Sequence, residues 1–124
     1  DDHFRVGDAL LVRAITKRQP KSIQVYLPTG HWFDYWNELA AVREGPGVIS
    51  LAPDPTHMPV FVQAGHILLH KLRLRRSSGA MVADPYTAVV YGSPARGRVY
   101  IDDGTSHAFT KDGAFIYDEL HFNG

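Results

Sequence analysis

Polar and apolar residues alternate along most of the chain, a pattern typical of strands with one buried face. In residues 22–27 the alternation places Ile23, Val25 and Leu27 on one face, and Gln24 and Tyr26 on the other. Similar segments recur at intervals of about 8–12 residues, with turn residues between them. The pattern predicts strands over residues 9–15, 22–27, 31–35, 48–51, 60–62 with 67–69, 87–91, 98–102 and 115–122.

Glycine and proline separate these segments and leave little room for helices. Eleven Gly and eight Pro occur among 124 residues, and both residue types interrupt long helices. One helix is predicted, over residues 36–44, with Gly45, Pro46 and Gly47 as its stop. The expected fold class is all-β: an antiparallel β-sandwich followed by the beginning of a second β domain. We expect the boundary near residue 75, where a basic segment at 71–79 precedes a break in the alternation.

Length, charge and cysteine content exclude several kinds of protein. The chain has 124 residues, too few for the ~250 residues of a (β/α)8 barrel enzyme. Thirteen basic and thirteen acidic residues give a formal net charge of zero, so no field would attract nucleic acid or an anionic membrane. Without cysteine, no disulfide, thiolate nucleophile or Cys-ligated metal is available. The apolar runs are far below the ~18 residues of a membrane span.

The densest aromatic cluster lies at residues 30–36, GHWFDYW. Exposed Trp and Tyr rings can stack on the apolar face of a sugar, so Trp32, Tyr35 and Trp36 are candidate sugar-stacking residues. The alternative is a structural role. On a strand, Trp32 and Trp36 share one face while Phe33 and Tyr35 share the other, so at least one set should be core.

Carboxylates at Asp102 and Asp103, before Gly104 and Thr105, have two interpretations. They could bind calcium or act as an acid and base. Adjacent side chains of a strand point to opposite faces, however, and do not flank a substrate. We therefore favour an Asp-Gly turn that closes a hairpin between residues 98–101 and 108–110, with a positive φ at Gly104.

Histidine and arginine clusters give weaker indications. Among seven His, only His66 and His70 are four apart, and no third ligand is near them in sequence. We predict no metal site and no cofactor. No G-x-S-x-G motif is present. Arg73, Arg75 and Arg76 could bind phosphate, but pairing with acidic groups is the favoured alternative.

Several segments together resemble the region that follows the catalytic barrel in glycoside hydrolase family 31, the α-glucosidases. They are VGDALLV at 6–12, VYLP at 25–28, GHWFDYW at 30–36, MPVFVQAGHI at 58–67, LRRSS at 74–78, DPYT at 84–87 and YIDDGT at 100–105. The last three are similar to the branch of that family that trims glucose from N-linked glycans in the endoplasmic reticulum.

The resemblance implies a division of the chain and a function for the protein that contains it. Residues 1–15 would be the last barrel strand and its exit, 16–75 a proximal β-sandwich, and 76–124 the truncated start of a distal β domain. The first apolar run begins almost at Asp1, and Asn123-Gly124 is a hairpin-turn dipeptide with nothing after it. We therefore expect a piece of a longer enzyme.

That enzyme would hydrolyse terminal α-linked glucose with retention, through two carboxyls about 5 Å apart. The resemblance places them upstream, so no residue of this chain is expected to be catalytic. The expected partners are the upstream barrel, an α-glucoside or glucosylated N-glycan substrate, and a non-catalytic β-subunit, in the lumen of the endoplasmic reticulum. The alternative is a free-standing carbohydrate-binding β-sandwich. The predicted core comprises Leu10, Val12, Ile23, Val25, Leu27, Trp32, Val60, Phe61, Ile67, Val89, Tyr100 and Ile101.

Overall fold

A computed structural model describes residues 2–18, 20–37 and 42–124, which form β-sheets with very little helix. The predicted all-β class is confirmed. The chain divides into two compact units, Asp1–Ala64 and Gly65–Gly124. The sequence placed this division near residue 75. The structural division lies earlier because the strand His66–His70 pairs only with strands of the second unit.

The first unit contains a five-stranded antiparallel sheet in the order β1-β2-β5-β3-β4. Its strands are β1 (His3–Val6), β2 (Leu10–Arg13), β3 (Ile23–Asp34), β4 (Arg43–Leu51) and β5 (Val60–Gln63). β1 was not predicted: its sequence, HFRV, alternates over four residues only. It pairs with β2 as a hairpin whose turn contains Gly7 at a φ of 63°.

β3 is one continuous strand, although the sequence predicted two strands separated near Pro28 and Gly30. Its pairing with β4 continues across this point with a register shift between Leu27 and Gly30. A proline lacks the N–H that a regular ladder needs, and an irregularity of this kind accommodates it. Pro28 and Gly30, which the sequence analysis interpreted as a break between two strands, therefore mark an irregularity within one strand.

The helix expected over residues 36–44 is wrong at both of its described ends, since Trp36 lies in a bend and the C-terminal end is strand. Arg43 and Glu44 belong to β4, and residues 38–41 lie outside the described part of the chain. The Gly45-Pro46-Gly47 segment, interpreted as a helix stop, is part of the same strand. β4 lies at the edge of its sheet, where a missing ladder donor is tolerated.

The core of the first unit is a cluster of side chains from β2, β3 and β5. Its buried members are Leu11, Ile23, Val25, Leu27, Trp32 and Phe61, with Ile49 and Leu51 of β4 packed against them. Leu11 with Val12, and Phe61 with Val62, are buried in succession. Burial of consecutive residues means that β2 and β5 are covered on both faces, so alternation alone could not separate their core positions.

β5 pairs with the second half of β3, in register at Trp32, Phe33 and Asp34. Side chains from the neighbouring hairpin satisfy backbone groups along the first half. The Tyr26 amide donates to His3 Nε2 at 3.1 Å, and Arg13 Nε donates to Gln24 O at 2.9 Å. Burial, and then the charge of Arg13, lower the pKa of His3, which suits an acceptor nitrogen.

The second unit contains a four-stranded sheet in the order β7-β6-β8-β9. Its strands are β6 (His66–His70), β7 (Thr87–Tyr91), β8 (Ala95–Ile101) and β9 (Ile116–Phe122). The pair β6 and β8 is parallel and the other pairs are antiparallel. The expected hairpin between residues 98–101 and 108–110 is wrong. Residues Ala108–Lys111 form a short helix, α1, and β8 pairs with β9 instead.

The buried residues of the second unit are Ile67, Tyr91, Ala95 and Asp84. Of the positions predicted as core, Ile67 is confirmed, whereas Tyr100 is wrong with 50% of its surface exposed. Ile101 is half-buried on the opposite face of β8. Adjacent strand residues cannot both point inward on a one-sided sheet, so Tyr100 and Ile101 could not both be core.

Candidate functional site

Trp32 is fully buried in the core of the first unit. Its ring nitrogen Nε1 donates to the carbonyl oxygen of Pro28 at 2.8 Å, so burial leaves no unsatisfied donor. A sugar cannot stack on an enclosed ring. Trp32 therefore has the structural role considered for the aromatic cluster, and it is not part of a sugar-stacking platform.

Trp36 is different, because 51% of its surface is exposed. β3 ends at Asp34 and the chain bends at residues 35 and 36, which carries Trp36 out of the sheet. Its amide donates to Asp34 Oδ1 at 2.9 Å, and its Nε1 donates to Met58 O at 2.7 Å. The rings of Tyr35 and Trp36 are in contact and nearly perpendicular, with centroids 4.9 Å apart. These contacts hold the exposed ring in one orientation.

A short loop brings three polar side chains beside Trp36. Asp54 Oδ1 accepts from the Thr56 amide at 2.7 Å and from the Thr56 hydroxyl at 2.6 Å. His57 Nδ1 lies 3.1 Å from Asp54 Oδ2 and 2.8 Å from Thr56 Oγ1. The His57 ring also packs against Trp36, with centroids 4.5 Å apart.

The hydrogen bonds of this loop determine the tautomer of His57. The Thr56 hydroxyl gives its one hydrogen to Asp54, so it accepts from Nδ1, and an ionised carboxylate can only accept. Nδ1 therefore carries the hydrogen, and Nε2 of the neutral ring is an acceptor. All these contacts use Nδ1, so Asp54, Thr56 and His57 do not form a nucleophile-base relay, in which the two ring nitrogens have different partners.

Asp54 remains ionised well into the acidic range. Hydrogen bonds from the Thr56 hydroxyl, then from the Thr56 amide and His57, lower the pKa of Asp54 to about 2. From sequence alone, Asp54 with Pro55 indicates only a turn. The sequence D-x-T-H at 54–57 could have indicated this cluster. In an Asx turn the aspartate side chain accepts a hydrogen bond from the backbone amide two residues later, which here is Thr56.

A cavity of about 380 Å³ lies beside Trp36 and the Asp54–His57 pair. It is lined by Asp34, Trp36, Asn37, Leu51, Ala52, Asp54, His57, Pro59 and Phe61. A second cavity of about 570 Å³ also has Asp54 and His57 in its wall, together with Ile15, Lys17, Pro20 and Met58. Both volumes fall within the ~300–1,000 Å³ of small-molecule sites. The Asp54–His57 pair thus contributes to two cavities.

The segment at residues 102–105 is a turn, as the sequence favoured. Gly104 has a φ of 66°, which confirms the expected positive value. Its amide donates to Asp102 Oδ1 at 2.8 Å, and Asp103 Oδ1 accepts from the amides of Thr105 and Ser106. Ser106 lowers the pKa of Asp103, first through its hydroxyl and then through its amide. Both carboxylates therefore bind the backbone of their own turn.

The arginines of the basic segment pair with an acidic group, which confirms the alternative favoured over phosphate binding for Arg73 and Arg75. Both reach Asp84 within the second unit. Within residues 2–18, 20–37 and 42–124, no group of three His, Cys, Asp or Glu is placed to hold a metal ion. No helix in the same ranges is long and apolar enough to cross a membrane.

Comparison with known proteins connects this chain to one enzyme family. A family model described as the glycosyl hydrolase family 31 C-terminal domain matches residues 1–68. Neutral alpha-glucosidase AB of Dictyostelium discoideum is 35% identical over 98% of this chain and 13% of its own length. A probable glucan 1,3-alpha-glucosidase of Oryza sativa is 39% identical over 96% of this chain and 13% of its own length.

Solved structures give the same connection. The glucosidase II alpha subunit in an alpha3-Glc2-bound form matches 100% of this chain and 14% of its own, with a TM-score of 0.84 and 29% identity. A complex of the catalytic subunit of endoplasmic-reticulum glucosidase II with the binding domain of its regulatory subunit matches with a TM-score of 0.88. The chain therefore spans about one seventh of the length of these proteins.

Proposed function

The chain belongs to glycoside hydrolase family 31, by its match to that family's C-terminal domain, and we propose that it is a non-catalytic β-region of an α-glucosidase. The enzyme would hydrolyse terminal α-linked glucose, and this region would supply the scaffold that follows the catalytic barrel. The five-stranded sheet, which includes β1 and β2, would be the first part of that scaffold.

One observation carries this proposal: relatives named as α-glucosidases align with almost the whole of this chain and only a small part of themselves. The Dictyostelium relative covers 98% of the chain with 13% of its own length. A segment of this size cannot contain a barrel of about 250 residues, so the chemistry belongs elsewhere in such enzymes. The carboxylates of Asp102 and Asp103 are consistent with this, because they bind their own turn.

The finer parts of the proposal follow the glucosidase II relatives. The enzyme would trim glucose from N-linked glycans in the lumen of the endoplasmic reticulum, with retention at the anomeric carbon. It would also associate with a non-catalytic regulatory subunit, as the catalytic subunit of glucosidase II does in the matching heterodimeric complex. Retention would require two carboxyls about 5 Å apart in the barrel.

A chimaera tests the proposal. The matching region of the Dictyostelium neutral alpha-glucosidase AB, 35% identical, is replaced by this chain. We expect the chimaera to hydrolyse p-nitrophenyl α-glucoside and to release α-glucose first, detected by proton NMR before mutarotation. A second chimaera carrying Phe61→Ala should melt at a lower temperature, because Phe61 is 2% exposed in the core. A chimaera that folds but has lost hydrolysis would contradict the proposal.

A further inference from the structure

We propose that the cavity bounded by Trp36, Asn37, Asp34 and the Asp54–His57 pair binds a neutral hexopyranose unit, such as one glucose residue of an α-glucoside. The cavity is about 380 Å³ and combines an exposed indole with carboxylate, amide and imidazole groups. The described residues that line this cavity lie within 34–37 and 51–61, so sugar binding here does not depend on the glucosidase assignment.

The indole of Trp36 provides the stacking surface. Half of the residue is exposed, and the ring nitrogen already donates to Met58 O at 2.7 Å. A sugar that covers the ring therefore leaves no buried donor unsatisfied. The ring contact with Tyr35 and the hydrogen bond from the Trp36 backbone amide to Asp34 Oδ1 fix the indole before a ligand arrives. This reduces the entropy that is lost on binding.

The polar groups around the ring are those that sugar hydroxyls require. The carboxylates of Asp34 and Asp54 accept hydrogen bonds, Nε2 of His57 accepts when the ring hydrogen is on Nδ1 alone, and the amide of Asn37 both donates and accepts. Sugar hydroxyls can donate to the two carboxylates and to His57 Nε2, and they can donate to the oxygen or accept from the nitrogen of the Asn37 amide. Leu51, Pro59 and Phe61 supply apolar wall beside these groups, matching the mixed surface of a sugar ring.

The charges of the cavity select a neutral ligand. Asp54, with a pKa lowered to about 2, is ionised at neutral pH as an ordinary aspartate would be, and Asp34 is a second carboxylate in the same wall. A sugar carrying a carboxylate or a phosphate would be repelled by both groups. We therefore expect maltose to bind and glucuronate and glucose 6-phosphate to bind much more weakly.

The two tryptophans of the chain give an internal control in an NMR titration. The indole N–H signals of the full, isotope-labelled chain are followed as maltose is added. Trp36 is half exposed at the cavity, whereas Trp32 is fully buried. We expect the Trp36 indole and the Asn37 side-chain amide to shift with one saturating curve while the Trp32 indole stays in place. No shift at Trp36 up to saturating sugar, or equal shifts for both indoles, would overturn the proposal.

Paired variants separate stacking from general surface effects. Trp36→Ala should weaken maltose binding by about two- to tenfold, the range that loss of one aromatic contact produces. Tyr26→Ala is the matched control, because Tyr26 is also 50% exposed but does not line the cavity. Well-dispersed amide signals in the NMR spectrum establish that both variants are folded. If Trp36→Ala does not fold, Asn37→Leu is the second cavity variant. Unchanged binding in the folded cavity variant, or equal binding of glucuronate, would refute a neutral-sugar site.

Discussion

Arg75 and Asp84 form a bidentate ion pair, with Nε 2.9 Å from Oδ2 and Nη2 2.6 Å from Oδ1. Asp84 is buried, with 7% of its surface exposed. Lys71 strengthens the same region, since its Nζ donates to the carbonyls of Met81 and Val82 at 2.7 and 3.0 Å. The long connection between β6 and β7 is therefore held by charged side chains rather than by an apolar core.

Replacing Arg75 with Ala should lower the melting temperature by several degrees, because it leaves the buried carboxylate of Asp84 without its main partner. Arg76→Ala is the control and should have little effect, since Arg76 is exposed. Thermal unfolding followed by circular dichroism measures both. Equal melting temperatures for the two variants would show that the pair is not structural.

The same pair predicts a pH dependence. Hydrogen bonds from Arg75 lower the pKa of Asp84 below its usual 3.8. A lowered pKa in the folded state means stability that is full above the unfolded value and is lost as the pH falls through the folded value. The difference in stability between the wild type and Arg75→Ala should therefore shrink below pH ~4. A difference that stays constant down to pH ~2 would contradict this assignment.

The sequence predicted most of the strands, but alternation did not identify the core positions of strands that are buried on both faces. The strand expected at 87–91 has the observed bounds of β7, Thr87–Tyr91. In β2 and β5, successive residues are buried, so a period of two carries no information about their core positions. β3 and β4 were misjudged because Pro28 and Pro46 occupy irregular or edge positions, whose tolerance of proline depends on the tertiary structure.

The candidate site shows a different limit of the sequence. Trp32 and Trp36 are four residues apart and would share one face of a continuous strand. Trp32 is buried and Trp36 is half exposed, because the strand ends at Asp34. The contacts of Trp36 with Met58 and His57 join residues about twenty positions apart. Local patterns identified the aromatic cluster, but they could not identify the loop that completes the cavity.

Close approach of two strands gives a sharp prediction at Gly45. A Cβ added there would lie 1.9 Å from the carbonyl oxygen of Pro28, so the backbone of β3 or β4 would have to move. Gly45→Ala should destabilise the fold by about 2–3 kcal/mol or more. Gly47→Ala, on the same strand with nothing within 4 Å of its added Cβ, should be close to neutral. Urea unfolding of both variants measures the difference, and similar midpoints would mean that the strands are not this close.

The pKa of Asp54 should depend most on one hydroxyl, that of Thr56. The hydrogen bond from the Thr56 side chain is the largest cause that lowers this pKa to about 2. Thr56→Val removes the hydroxyl and keeps the shape, so the pKa of Asp54 should rise toward 3.8. Carboxyl carbon NMR against pH measures it, with Thr29→Val on β3 as the control. An unchanged Asp54 titration in Thr56→Val would show that the loop geometry is wrong.

The turn at residues 102–105 should respond to backbone strain more than to loss of charge. Gly104 has a φ of 66°, and an added Cβ would meet nothing within 4 Å, so strain alone would oppose a side chain. Gly104→Val should cost more than ~1 kcal/mol, while Gly104→Asn should cost less, since asparagine tolerates this region. Asp103→Asn should also cost less, because an amide oxygen can still accept the bonds from Thr105 and Ser106. A melting temperature that rises with calcium, with Asp103→Asn as the worst variant, would instead indicate a metal site.

The central claim, that this chain is a β-region without the catalytic groups of its family, is tested most directly by assaying the purified 124-residue chain with p-nitrophenyl α-glucoside. We expect no release of nitrophenol above the buffer rate, even at high protein concentration. Turnover by the chain alone, abolished by replacing a single aspartate such as Asp34, Asp54 or Asp103 with Asn, would contradict the claim and place catalytic carboxylates within this sequence.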